Sequence, residues 1–181
     1  MKRKVLILIA ICALSTSIIR AQETPFNKIS FLIGEWQGTG KGFGNNESTI
    51  KSSFQWVMNK KYIEVINDSQ FAPTKQKPKG EHHIDKGYIS FDKHRKAIVF
   101  RQFNIEGYVN QYILIDSLST PNEFVFETEK IENFVPGGKA RWVITKNTDN
   151  SITTTFNVAF PNKGYSCFGT NKLKRIKEGE L

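Results

Sequence analysis

The stretch Ser151-Ile152-Thr153-Thr154-Thr155-Phe156-Asn157-Val158-Ala159-Phe160 decides the kind of fold this chain adopts. Successive side chains of a β-strand point to opposite faces. Thr154, Phe156, Val158 and Phe160 therefore share one face, and Thr153, Thr155, Asn157 and Ala159 the other. The same alternation recurs elsewhere in the chain. Phe124 and Phe126 share a face, as do Trp142 and Ile144, while Tyr88 and Ser90 oppose Ile89 and Phe91. Runs of this type predict about ten strands, near 35–43, 48–58, 61–71, 83–92, 97–104, 108–116, 123–129, 140–146, 151–160 and 165–176. Good turn formers separate them, among them Asn59-Lys60, Asp92-Lys93-His94, Glu106-Gly107 and Pro161-Asn162-Lys163-Gly164. Sequence neighbours then pair as antiparallel hairpins. So many strands with one apolar face close best as a barrel, which leaves no exposed edge. The Lys- and Pro-rich segment 73–80 falls between the third and fourth strands and reads as a loop at one mouth.

The amino-terminal stretch has a different character. Lys2, Arg3 and Lys4 precede an apolar run from Val5 to Ile19, and Ala21 offers a small residue before Gln22. Charge, apolar run and small residue in that order predict a secretory signal peptide over 1–21. The apolar run is about 15 residues, short of the roughly 20 that a spanning helix needs. The expectation is a secreted or periplasmic protein with no stable membrane insertion after cleavage, and one domain over 22–181. The formal net charge is +9, and removal of Lys2, Arg3, Lys4 and Arg20 lowers it to +5. That is a mildly basic surface rather than a nucleic-acid footprint. Cys167 is the only cysteine beyond the leader, so stability must come from packing rather than from an intrachain disulfide.

Thr24-Pro25 opens a short helix whose apolar side is Phe26, Ile29, Leu32 and Ile33, and Gly34 ends it. The next residues are Glu35-Trp36, followed by Gly38, Gly40 and Gly42 on one face of the first strand. Glycines so placed allow close backbone approach and sharp coiling. A helix running through Gly-x-Trp into the first strand is similar to calycins, where the helix plugs one end of the barrel and the Trp packs across the base. Gly34-Glu35-Trp36-Gln37-Gly38-Thr39-Gly40-Lys41-Gly42 resembles the opening of nitrobindin-like haem-binding barrels. His83-Ile84-Asp85-Lys86-Gly87-Tyr88-Ile89 resembles their His-x-Glu-x-Gly-Tyr/Phe segment. An uncharacterised group of secreted calycin-like proteins shares the same outline. The resemblance implies an antiparallel calycin-like barrel with haem, or a lipid-like molecule, in one mouth. His83 matches the histidine on the far side of the haem. The family's axial histidine on the last strand has no counterpart, because the chain has only His82, His83 and His94. Tyr165 and Cys167 stand in that stretch, and both residue types are haem ligands.

From the residues themselves the function expected is reversible binding of a small, largely apolar molecule. Strand parity alone makes Phe100, Gln102, Tyr112, Trp142 and Phe156 candidate wall residues. Gln102 shares a face with Ile98 and Phe100 and needs a polar partner there, for which a ligand, Glu127, Tyr112 or a water are the choices. His82 and His83 point to opposite faces and cannot easily share a metal. Two alternatives stand beside this reading: a small isomerase or hydrolase using His83 or Tyr88 with Asp85, and a solidly packed structural barrel. No Gly-x-Ser-x-Gly elbow or Cys/His signature is present. Asn46-Glu47-Ser48 and Asn67-Asp68-Ser69 are glycosylation sequons. Lys172, Lys174, Arg175 and Lys177 read as a solvated basic strand edge.

Overall fold

A computed structural model describes residues 24–42 and 47–176. The leader expected at 1–21, Asn46 of the first sequon and Lys177 lie outside these residues. Ten antiparallel strands follow one another: β1 (Gly34–Gly42), β2 (Glu47–Val57), β3 (Tyr62–Phe71), β4 (Glu81–Asp92), β5 (Ala97–Asn104), β6 (Val109–Leu114), β7 (Glu123–Glu132), β8 (Lys139–Thr148), β9 (Ser151–Ala159) and β10 (Ser166–Arg175). Each pairs with its sequence neighbours, and β1 pairs with β10, so the sheet is a closed barrel. The expected all-β antiparallel barrel of ten strands is therefore the fold. Among the described residues no helix is long and apolar enough to cross a membrane.

The short amino-terminal helix is a correction in kind. Asn27–Leu32 forms a 3-10 helix rather than an α-helix, and Phe26, not Thr24, is its cap. Six residues are too few to repay α-helix nucleation without a side-chain cap. Its buried Ile29 and Leu32 nevertheless plug one end of the barrel, with Phe26 beside them.

Trp36 lies across that base, fully buried, and its indole Nε1 donates to the Leu32 carbonyl at 2.7 Å. Arg175, from the end of β10, stacks its guanidinium 4.2 Å from the centre of the Trp36 ring. The same guanidinium donates to the carbonyl oxygens of Ile33 and Phe31, each at 2.5 Å. Lys172 and Lys174 are solvent-exposed, but β10 is not an edge, because it is paired on both sides and Arg175 latches it onto the helix.

Inward-facing positions follow strand parity. The base is apolar, with Phe54, Ile63, Ile89, Ile144, Ile152 and Leu173 all nearly or fully buried. Above it, Phe100 stacks on Tyr112 and packs against Trp142, which also meets Phe126. Higher still the interior turns polar: Ser52 donates to Asn67 Oδ1 at 2.7 Å, and Asn110 donates to Gln102 Oε1 at 3.3 Å. Asn67, of the second sequon, is thus a half-buried inward residue bonded through its Oδ1.

At Gly38 β1 approaches β10 so closely that a Cβ would fall on the Lys172 carbonyl oxygen. Gly38→Ala should cost about 1–3 kcal/mol through overpacking and backbone displacement. A urea melt monitored by tryptophan fluorescence checks this, and an unchanged midpoint would refute the tight approach.

Candidate functional site

The connections at the end opposite the 3-10 plug join β3 to β4, β5 to β6, β7 to β8 and β9 to β10. The Lys- and Pro-rich loop belongs to this end. Here the barrel opens into a cavity of about 400 Å³. Its two sides differ in chemistry. His83 and Asp85 of β4, Asn104 of β5, Glu106 of the following turn and Asn110 of β6 form the polar side. Tyr108, Ile131, Phe134, Phe156, Phe160 and Phe168 contribute rings and an aliphatic branch on the other. Those rings run in sequence around the mouth: Tyr108 edge-on to Phe134 at 5.8 Å, Phe134 to Phe160 at 5.6 Å and Phe160 to Phe168 at 6.2 Å. These are ordinary separations for interacting aromatic pairs.

Asp85 stands on the inward face of β4, two positions below His83 and two above Gly87, which is level with Gln102 and Asn110. Gly87 matters here because a Cβ would lie 2.8 Å from Phe100 Cε2. Its absence lets the Phe100 ring slide in beneath the carboxylate. Burial, and after it the negative charge of Glu106, raise the Asp85 carboxyl from the usual 3.8 to about 7, with His83 opposing them. No described group donates a hydrogen bond to Asp85, whereas His83 Nδ1 is paired with Glu106 and its Nε2 lies 3.8 Å from Glu81. Just below, the fully buried Tyr112 hydroxyl has no hydrogen-bond partner. Burial chiefly, and then the Asp85 charge, raise its pKa. Asn110 stands beside it without hydrogen-bonding geometry.

Of the residues singled out from sequence, His83 and Phe156 line the cavity. Phe100, Tyr112 and Trp142 face inward but form the packed floor beneath it, each under one-tenth exposed. Gln102 faces inward and braces Asn110, which answers the question of its partner. Tyr88 is on the outside of the barrel, where its hydroxyl donates to Glu64 at 2.9 Å. It lies opposite Arg101, which is also exposed.

Tyr165 and Cys167 are also outside. Arg141 lies 4.2 Å over the Tyr165 ring, and Cys167 is exposed with its sulfur near Thr170. The cause is a β-bulge in β10. Gly169 pairs with inward Phe156, yet Cys167 pairs with outward Asn157, so the strand changes face at Phe168. The bulge turns Phe168 toward the cavity. Tyr165 and Cys167 are therefore not placed to ligate iron held in the cavity; of the side chains singled out from sequence as haem contacts, only His83 lines it. Among the described residues no group of three or more His, Cys, Asp or Glu side chains is placed to hold a metal ion.

Sequence reasoning missed most of the mouth as a wall. Asn110 was legible from its parity with Tyr112, and Asp85 from its parity with His83 and Ile89. Phe134 and Phe168 were not, because one sits in a loop and the other at a bulge.

A raised carboxyl means that the folded state binds the proton more tightly than the unfolded one. Asp85 therefore contributes most to stability in acid and progressively less as pH rises from 3.8 to about 7. Asp85→Asn should remove that fall. Its unfolding free energy should match the parent's in acid and exceed it above neutrality, by on the order of a few kcal/mol. Parallel melts across the pH range check it, and parallel curves for the two proteins would contradict it.

Against known proteins, no family model matches the chain, and no curated protein matches it. Among solved structures, Rv2717c from M. tuberculosis is similar with a TM-score of 0.63 at 13% sequence identity, covering 86% of this chain and 99% of that one. A de novo designed fluorescence-activating β-barrel has a TM-score of 0.42 at 10% identity, over 81% of this chain and 94% of its own. A redesigned barrel, mFAP0, bound to DFHBI, has a TM-score of 0.43 at 12% identity, over 80% and 99%. The first similarity bears on the barrel fold alone.

Proposed function

We propose that the protein reversibly binds a small, largely apolar molecule in the open mouth of its barrel. The observation that carries this reading is the cavity of about 400 Å³ between the aromatic arc and the polar wall, above a fully packed floor. Ligand sites are usually such apolar concavities with a few convergent polar groups. A barrel packed solid to both ends would leave no such space. The signal-like leader in the sequence supports meeting this cargo outside the cytoplasm, in a secreted or periplasmic setting. The strand count and the Trp36 base support a calycin-like or nitrobindin-like relationship. Haem is disfavoured as the cargo, because Tyr165 and Cys167 face away from the cavity and the last strand has no histidine.

A second reading has one observation in its favour. Asp85, which titrates near neutrality beside the His83–Glu106 pair, has the properties of a general acid or base in a concave site. Tyr88, on the outer face, cannot take part, so an isomerase would rest on Asp85 and His83 alone.

Titration with the neutral dye Nile red tests the binding reading. A saturable, one-to-one rise in fluorescence is expected. Asn104→Trp, which fills the mouth from the half-buried wall, should weaken it by about tenfold or more, given the steric loss of an apolar site. Unsaturable binding, or binding indifferent to this substitution, would count against the cavity. Haemin should give no saturable one-to-one Soret shift; such a shift would reopen haem as the cargo.

A further inference from the structure

The two sides of the mouth specify more than apolar cargo. Asp85 and Glu106 supply two carboxyl groups to one wall, and among the described residues no Lys or Arg side chain lines the cavity. This contrasts with the chain as a whole, whose formal charge is +9. His83 is the one basic lining residue, and it is already engaged by Glu106, with Glu81 3.8 Å away. Lys77, on the neighbouring loop, is paired with Glu81. Asp85 is thus a largely buried carboxyl that accepts no hydrogen bond from any described group. Buried carboxylates are ordinarily paired or bonded, since an unpaired buried charge is costly.

A second, independent observation points to the same spot. The Tyr112 hydroxyl is wholly buried and without a hydrogen-bond partner. It belongs to the inward face of β6, next below cavity-lining Asn110, and close enough to Asp85 to be influenced by its charge. Asn110 gives one Nδ2 hydrogen to Gln102, and its Oδ1 remains available as an acceptor. Carboxylate oxygens, a phenol oxygen and an amide oxygen make an acceptor-rich floor. What such a floor lacks is a donor with positive charge. A protonated primary amine brings three N–H donors, and aromatic faces nearby attract it further.

We propose, building on the mouth-binding reading above, that the cargo is a cationic amine on an apolar body, the amine seated against Asp85 and Glu106 and the body against Phe134, Phe156, Phe160 and Phe168. A bound cation supplies the counter-charge that keeps Asp85 ionised despite its burial. The same wall works against carboxylate and phosphate cargoes, which would bring like charge to a site with no free guanidinium or ammonium to receive it. Fatty acids and haem propionates fall in the rejected class.

Three probes that share one ring system separate the contributions of body and charge: 2-naphthylmethylamine, 2-naphthylmethanol and 2-naphthoic acid. Each is titrated calorimetrically into the purified protein slightly above neutrality. The amine should bind at least about tenfold tighter than the alcohol, as a charge-assisted hydrogen bond warrants, and the acid should bind most weakly. Asp85→Asn should bring the amine down to about the level of the alcohol, with circular dichroism and a thermal melt showing that the variant is folded. Glu106→Gln should reduce the amine preference by a smaller factor. An amine that binds no better than the alcohol, or a preference that survives Asp85→Asn, overturns the cationic assignment and leaves the apolar cavity standing. Failure of all three probes to bind the parent protein overturns the cavity reading and this proposal together.

Discussion

The barrel depends on one junction, where the chain's last strand meets its first. Arg175 lies over the Trp36 ring and holds the Phe31 and Ile33 carbonyls, residues more than 140 positions earlier. Closing a loop of that length carries an entropic cost that grows only slowly with the number of residues. What the junction secures is the pairing of β1 with β10, without which both strands would present unpaired backbone to water and to other chains. The 3-10 plug and the Trp36 indole are bonded into the same place, so the closed end of the barrel and the closure of its sheet are one structural event.

From that end the interior changes character with height. Aliphatic side chains and Trp36 fill the base, a layer of Phe100, Tyr112, Phe126 and Trp142 forms the floor, and polar groups gather above it. The packed half provides the stability and leaves the upper half free to be hollow. The arrangement places the orphaned Tyr112 hydroxyl and the unbonded Asp85 carboxyl at the boundary between the two halves, where desolvation is strong but the cavity is within reach. Groups of this kind burden the folded state and are retained where they serve a site.

The aromatic arc around the mouth and the acidic wall across from it come from different connections of the barrel's open end. Tyr108 and Glu106 belong to the β5–β6 connection, Phe134 to β7–β8 and Phe160 to β9–β10, while Phe168 comes from the bulge near the start of β10. Loops on a rigid sheet are common places for binding residues. Here the rings also cover apolar side chains that would otherwise stand in water at the rim, where Ile105, Val135 and Phe160 remain partly exposed.

The sequence by itself determined the strand count, the antiparallel order and the inward set of most strands, because side-chain alternation is a local property of an extended chain. Phe100, Gln102, Tyr112, Trp142 and Phe156 all face inward for that reason, and His82 and His83 part to opposite faces. Tertiary structure alone decided how far up the barrel each residue stands, which separates the floor residues Tyr112 and Trp142 from the wall residue Phe156. It decided the face of Tyr165 and Cys167, because a single extra residue at Phe168 reverses the parity beyond it and nothing in the local sequence announces a bulge. Tyr88 went to the outer face by the same parity that carried Asp85 inward. That Asp85 meets Glu106, Asn110 and Tyr112 there follows from the register of three strands and a turn, which only the closed sheet sets.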